Sequence, residues 1–531
     1  MPTRSVVRRA LVACTVLTAA CESRALPDRG WPSYNGDLSG ARTSPLAQIT
    51  VANVAELRPV CRLRVGEEGS FQTGPIVVGD TIYVTTPHTT VAARASTCEV
   101  LWRQMDTLPR ADVFVVNRGA AVANGRLFRG TPDGRLLALD AHTGAVVWEV
   151  AAGDGKIGEF TSSAPIVHDD IVIMGLAGGD WGIKGRVMGY DAATGKERWR
   201  FNTIPTGSEP GADSWKIPAT AARGGGGTWT TYTLDAANGE LFVPVGNPAP
   251  DFAPDARPGD NLYSDAIVVL DVKTGALKWW HQVVVNDGYD LDISAAPALG
   301  SVGAGPVYFV GAKDGFVRAV DRASHAERWK TAVTTIETPK EAPSATGSKS
   351  CPGALGGVEW NGPAYDAVNQ RVIVGAVDWC FVVTRKLEKH TPGKMYFGGT
   401  LAPVDTARGW LTALDAATGA VQWKFHAPAP IVAGVTPTAS GLVFTGDLAG
   451  TFYAFDAASG KVLLSQKTDG SIAGGVITYA VGGKQHVAFT SGNASRVTFQ
   501  TAGHPTLVVM ALGAPTAPTD VTLPDVSRPK K

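Results

Sequence analysis

Short runs of alternating apolar and polar residues recur along the chain. They keep ending in one phrase: an aspartate, a polar turn and a return stretch that closes on tryptophan. Clear copies are LLALDAHTGAVVW (136–148), VMGYDAATGKERW (187–199), IVVLDVKTGALKW (267–279) and LTALDAATGAVQW (411–423). VRAVDRASHAERW (317–329) and FYAFDAASGKVLL (452–464) are weaker, and TTVAARASTCEVLW (89–102) is degenerate. A period of two predicts a half-buried strand. The Ala-Thr-Gly after the aspartate predicts a tight turn in which glycine takes positive φ. Each copy reads as strand, turn, strand. One such unit cannot bury its own apolar face and must stack on the next.

A large aromatic at one fixed place per unit suits wedge-shaped sheets packed around an axis, which is a β-propeller of four-stranded blades. Uninterrupted neighbours, Trp102 to Trp148 and Trp279 to Trp329, lie about 50 residues apart, a blade length. Seven copies are visible. An eighth blade, assembled from Thr506 to Gly513 and from Trp31 to about Arg64, is expected to close the ring. The reading is all-β: an eight-bladed β-propeller with Trp-docking repeats, spanning 31–513 as a single domain. The segment 514–531, rich in Pro and Thr, is expected to be a flexible tail.

Composition narrows the function. The formal net charge is zero over 531 residues and no basic patch stands out, which argues against nucleic acid as a partner. At the N-terminus Arg4, Arg8 and Arg9 precede a short apolar run, Ala10 to Ala20, which reads as an export signal over 1–21. Leu17-Thr18-Ala19-Ala20-Cys21 also resembles a bacterial lipobox. Two outcomes stay open: a lipid anchor at Cys21, or plain cleavage near Ala20 or beyond. Cys61, Cys98, Cys351 and Cys380 remain, an even number that suggests disulfides in an exported chain. Pairing Cys61 with Cys98 and Cys351 with Cys380 keeps each bridge within about one blade. No Cys-x-x-Cys-His occurs, so the chain carries no c-type haem.

The repeat is interrupted twice, between Trp199 and Trp279 and between Trp329 and Trp423. Insertions on a rigid scaffold tend to carry function. The first interval holds RGGGGTW (223–229) and VGNPAPDF (245–252), and NDGYDLDIS (286–294) lies just beyond it. Gly224 to Gly227 can bring bare backbone against a flat ligand and Trp229 can supply an aromatic face. Asp290 and Asp292, two apart, would point the same way on a strand. With Asn247 they would make a site for a hard cation. Taken singly these features are ordinary: a flexible glycine loop, a rigid turn, a solvated edge.

In this order the motifs resemble the pyrroloquinoline quinone (PQQ) dependent alcohol dehydrogenases. The resemblance covers nearly all of the chain after the signal. WPSYNGDLSGARTSPLAQITVANVAEL, VVNRG (115–119), TSSAPIV, GGGGTW, GNPAP, Asp-x-Tyr-Asp-x-Asp and the CPGALGGVEWNGPAYD to DWC segment carry it. It implies that Trp229 stacks on the quinone, that Arg118 meets the PQQ carboxylates, and that Gln72, Ser162, Gly178, Gly179 and Thr228 complete the cofactor site. It implies Asp180, Asn247, Asp290 and Asp292 as metal ligands, with Ca²⁺ favoured and a lanthanide as the other choice. Asp290 would be the catalytic base and Lys313 the cation beside the reactive quinone oxygens. The implied reaction oxidises an alcohol to an aldehyde or ketone in the periplasm. Electrons would pass to a separate cytochrome c or another acceptor.

The chain also departs from the family. Asp112-Val113 stands where the family has adjacent cysteines, Gln72 where it has Glu, and Asp180 where it usually has a ligating Glu. Val377 looks like the replacement of a cofactor-contacting Asn and Val432 of a Trp, which suggests a roomier pocket for a bulky or secondary alcohol. Two other classes compete. One is a non-catalytic propeller lipoprotein that scaffolds outer-membrane assembly, which needs neither GGGGTW nor the aspartate pair. The other is a degenerate quinoprotein that senses a ligand.

Overall fold

The computed structural model describes residues 1, 26–106, 114–303, 305–495 and 499–525. Most of the expected export signal with Cys21, the Asp112-Val113 position and residues 526–531 lie outside them. Among the described residues there are seven four-stranded sheets, one five-stranded sheet and one of three strands. The lone α-helix among them is Pro218–Ala221.

One sheet illustrates the rest. Strands Ala121–Ala123, Arg126–Gly130, Arg135–Asp140 and Val146–Ala151 pair antiparallel in chain order. The middle strands are buried, and the outer one alternates toward solvent. Asp140 closes the turn: its carboxylate accepts the backbone N–H of His142 and Thr143 and the Thr143 hydroxyl. This is an Asx turn, and it fixes where the chain reverses. The ladder then slips by one residue between Ala138 and Leu139, and the same slip recurs at Gly189/Tyr190, Val269/Leu270 and Ala413/Leu414.

The tryptophans of the repeat meet the following sheet. Trp102 Nε1 donates to Ala141 O (3.0 Å), Trp199 to Val272 O (3.1 Å), Trp329 to Ala416 O (2.9 Å) and Trp423 to Ala457 O (3.0 Å). The turn glycine of the next copy lies under the ring. A Cβ on Gly144 would come within 2.5 Å of the Trp102 indole. Gly144 is therefore needed twice, for its φ of 74° and for this contact. Between sheets, Trp199, Leu241, Val243 and Val268 share one apolar cluster. Each such buried side chain contributes roughly 1.5–3 kcal/mol.

The five-stranded sheet joins the chain ends. Arg58–Arg64 pairs antiparallel with Thr506–Ala511, which follows Val476–Val481 and Lys484–Ser491 in that sheet. Two expectations need correction. From Trp31 to Arg64 only the last part is a sheet strand; Trp31 and Ser44 make isolated bridges to Val77 and Thr438. Within 514–531, Thr519–Thr522 is a strand that lies parallel to Arg58–Arg64. Composition predicted a loose tail because the pairing partner lies more than 400 residues away in sequence. Both expected disulfides are present, Cys61–Cys98 and Cys351–Cys380. The second interruption folds into the three-stranded sheet of Ser348–Ser350, Phe381–Arg385 and Gly399–Pro403. No helix among the described residues is long and apolar enough to cross a membrane.

Candidate active site

Segments that join successive sheets converge on a cavity of about 600 Å³, a size suited to a small-molecule site. Gly178, Gly179 and Gly227 line it with bare backbone. Gly178 has φ 98°, and a Cβ there would sit 2.0 Å from Gly158 O, so no other residue fits. The Trp229 indole is half-buried in the cavity wall. The Arg118 guanidinium lies 4.6 Å from its ring centre and the Lys313 ammonium 5.6 Å. Arg118 is held by Ser162 Oγ (3.1 Å) and Trp229 O (3.0 Å), and Ser162 Oγ also donates to Trp229 O (2.9 Å). Burial draws the Arg118 pKa down to about 10, which leaves it cationic at neutral pH. Gln72 lines the same cavity; its amide donates to Ala494 O (2.9 Å) and its Oε1 has no partner.

Charge concentrates at one point of the wall. Lys313 Nζ is 3.0 Å from Asp290 Oδ1 and 2.6 Å from Asp292 Oδ2. Asp292 Oδ1 accepts the Asn247 N–H at 2.7 Å. Asp290 and Asp292 do converge, but not on a strand. The segment is a loop in which Asp290 takes φ 59°, a conformation that non-glycine residues rarely adopt. Asp287 shapes the loop by accepting the N–H groups of Tyr289 and Leu291, each at 2.8 Å. Burial pushes the Asp290 carboxyl well above the usual range, against the pull of Lys313. Asp180, on the 3₁₀ turn Gly179–Trp181, is pushed up to about 6 by burial and by Asp292. The Lys313 ammonium is held above its ordinary range by Asp290 and Asp292, which outweigh its burial.

Asp180, Asn247, Asp290 and Asp292 all line the cavity. They are oxygen donors only, three of them anionic, which suits a hard cation. Among the described residues no three His, Cys, Asp or Glu side chains meet at ligating distance. Lys313 is the positive charge that Asp290 and Asp292 share. The residues fit the group in kind. The aromatic face, the bare glycines and the buried cation of Arg118 likewise fit a flat anionic quinone.

Three expected residues lie outside the wall. Thr228 does not line the cavity; its hydroxyl faces Tyr232 OH at 3.4 Å. Val377 and Val432 pack with Trp360, Leu448 and Ala473 in an apolar cluster against which Trp229 also packs. Instead Glu359 lines the cavity, and burial pushes its carboxyl up to about 7 despite Lys313 and Arg118. Its signal was on the page: it stands eight residues after Cys351, inside the CPGALGGVEWNGPAYD segment. Trp360 was also missed. It flanks Arg118 from a second side, 5.2 Å from ring centre to guanidinium.

Comparison with known proteins agrees with this geometry. The family described as glucose/ethanol/alcohol dehydrogenase, beta-propeller domain, of the PQQ type, matches residues 31–324. A second model, outer membrane protein assembly factor BamB, matches 407–521. The quinoprotein ethanol dehydrogenase of Pseudomonas aeruginosa is 31% identical, covering 86% of this chain and 85% of its own length. The lanthanide-dependent methanol dehydrogenase of Methylacidiphilum fumariolicum is 29% identical over 87% of this chain and 84% of its own. Among solved structures, the quinohemoprotein alcohol dehydrogenase of Comamonas testosteroni superposes with TM-score 0.85 at 26% identity, covering 92% of this chain and 81% of that one. A fold of stacked antiparallel sheets around a cavity walled by Trp229, Arg118 and an aspartate–lysine cluster is that of a quinoprotein. The chain belongs to the PQQ-type glucose/ethanol/alcohol dehydrogenase family.

Proposed function

We propose that this protein is a periplasmic quinoprotein that oxidises an alcohol to an aldehyde or ketone, built on an eight-bladed propeller that begins near residue 31 and includes the strand Thr519–Thr522. The observation that carries the reading is the convergence of Trp229, Arg118, Lys313 and Asp290 on one cavity. Seven four-stranded sheets and one of five strands support the blade count. Trp229 offers its face to the cofactor, Arg118 sets positive charge against its carboxylates and Lys313 against its reactive oxygens. Asp180, Asn247, Asp290 and Asp292 would hold the cation, Ca²⁺ or a lanthanide. When bound, metal and quinone together supply a polarised two-electron acceptor. Asp290 takes the hydroxyl proton of the alcohol. A neighbouring cation favours its ionised form and offsets the effect of burial. Electrons would leave to a separate acceptor such as a cytochrome c.

The assembly-factor match favours a scaffold as the second reading, but it covers the repeat copies at 411–423 and 452–464 rather than Asp290, Asp292 or Lys313. Calorimetric titration of PQQ into the purified protein with Ca²⁺, with La³⁺ and without metal separates the two. Stoichiometric, metal-dependent binding followed by dye-coupled alcohol oxidation is expected. Absence of binding in all three would leave the scaffold.

A further inference from the structure

Asp251 is fully buried, and neither of its carboxylate oxygens has a hydrogen-bond partner. It lies four residues after Asn247 on the same turn-rich segment, which Gly224 and Gly226 pin through Ala249 N to Gly224 O and Gly226 N to Asn247 O, each 2.9 Å. The charges that act on it, strongest first, are Asp180, Asp290, Arg257 and Asp292. Its three anionic neighbours are thus the carboxylates of the candidate cation site.

Arg257 does not neutralise it. That guanidinium donates to the main-chain oxygens of Pro250, Asp251 and Asp287 and to the Asn261 side chain, never to the Asp251 carboxylate. Its leading charge partners are Asp287 and then Asp265. A buried carboxylate without donors keeps its proton or needs compensating charge, and a cation bound beside it supplies that charge. Asp251 adds a fourth carboxylate to Asp180, Asp290 and Asp292, and each added negative charge favours a trivalent ion over a divalent one.

We infer that Asp251 is a specificity-determining residue that biases the cation site toward a trivalent ion of lanthanide size over Ca²⁺. The inference rests on the quinoprotein reading above and adds a carboxylate that the sequence motifs did not assign to the site. It acts through charge, from behind the wall: Asp251 does not line the cavity.

The test is competitive titration of the full-length protein with Tb³⁺ and Ca²⁺ in the presence of PQQ, read by tryptophan-sensitised Tb³⁺ luminescence and by calorimetry. Wild type is expected to prefer Tb³⁺. Asp251→Asn is expected to lose roughly tenfold or more in Tb³⁺ affinity while Ca²⁺ affinity moves little, because ligand charge count sets such constants. Asp251→Leu should lose the same selectivity and, having removed an unpaired buried charge, unfold no earlier than wild type. A wild type that binds both ions equally, or variants that keep its selectivity, overturns the role of Asp251 and leaves the quinoprotein reading standing. A wild type that binds neither PQQ nor metal overturns both.

Discussion

The Arg118 guanidinium lies 4.6 Å from the centre of the Trp229 indole and donates to the Trp229 carbonyl oxygen, so one residue fixes both the ring and the backbone of the other. A ring held this way is pre-organised to stack, and a ligand bound on it gains contact without ordering cost. Trp229→Ala is expected to weaken PQQ binding by about 1–2 kcal/mol, roughly 5- to 30-fold in Kd. Calorimetry at fixed metal concentration measures this, and an unchanged Kd would remove Trp229 from the cofactor face.

Asp290 touches Lys313 and the cavity but no main-chain donor (its loop is set by Asp287 instead). Asp290→Asn should therefore preserve the fold. It should lower kcat by about 10²- to 10⁴-fold, the range for loss of a general base. Bound-cofactor absorbance checks that PQQ is still present. Turnover at the wild-type rate would exclude Asp290 as the base.

Glu359 gives a pH signature. Its carboxyl ionises near 4.5 when unfolded and near 7 in the fold, because burial disfavours the charged form. Between these values the folded chain holds a proton that the unfolded chain has released, so stability falls as pH rises. The stabilisation is full below about pH 4.5 and lost above about 7, a span of about 3 kcal/mol. In cofactor-free protein, Glu359→Gln should match wild type in Tm near pH 4 and exceed it at pH 8 by about 3 °C, given the entropy of unfolding a chain of this size. Equal Tm differences at both pH values would show that Glu359 does not titrate this way.

The Cys351–Cys380 bridge closes a loop that carries Ala354, Leu355, Glu359 and Trp360 into the cavity wall. For a sequence separation of 29, its loss should cost about 3–4 kcal/mol. The Cys351→Ser/Cys380→Ser double variant should lower Tm and also weaken PQQ binding. The Cys61–Cys98 bridge also closes a loop with wall residues, Gln72 among them, so the Cys61→Ser/Cys98→Ser pair should weaken PQQ binding as well. An unchanged Kd in the Cys351→Ser/Cys380→Ser variant would show that its bridge does not shape the site.

The repeat was legible because its cause is local. An aspartate that caps its own turn, as Asp140 does, and a tryptophan that lands on the next turn, as Trp102 does, both leave fixed spacings in the sequence. Asp290, Asp292, Trp229 and Arg118 were legible through motif order. What failed depended on which way a loop faces. Thr228 sits between two wall residues yet turns its hydroxyl to Tyr232, and Val377 and Val432 pack with Trp360 in one apolar cluster without lining the cavity. Neither direction is encoded in a period. Thr519–Thr522 was illegible for another reason: its strand partner is Arg58–Arg64, more than 400 residues away in sequence.

That pairing also sets an order of events. Arg58–Arg64 lies between Thr506–Ala511 and Thr519–Thr522, so a strand made early waits for neighbours made last. Until then its edges are bare and the growing chain resembles an unfastened clasp. A nascent or clipped chain lacking the final two strands would keep every catalytic candidate and still lack the lock that holds the two ends together.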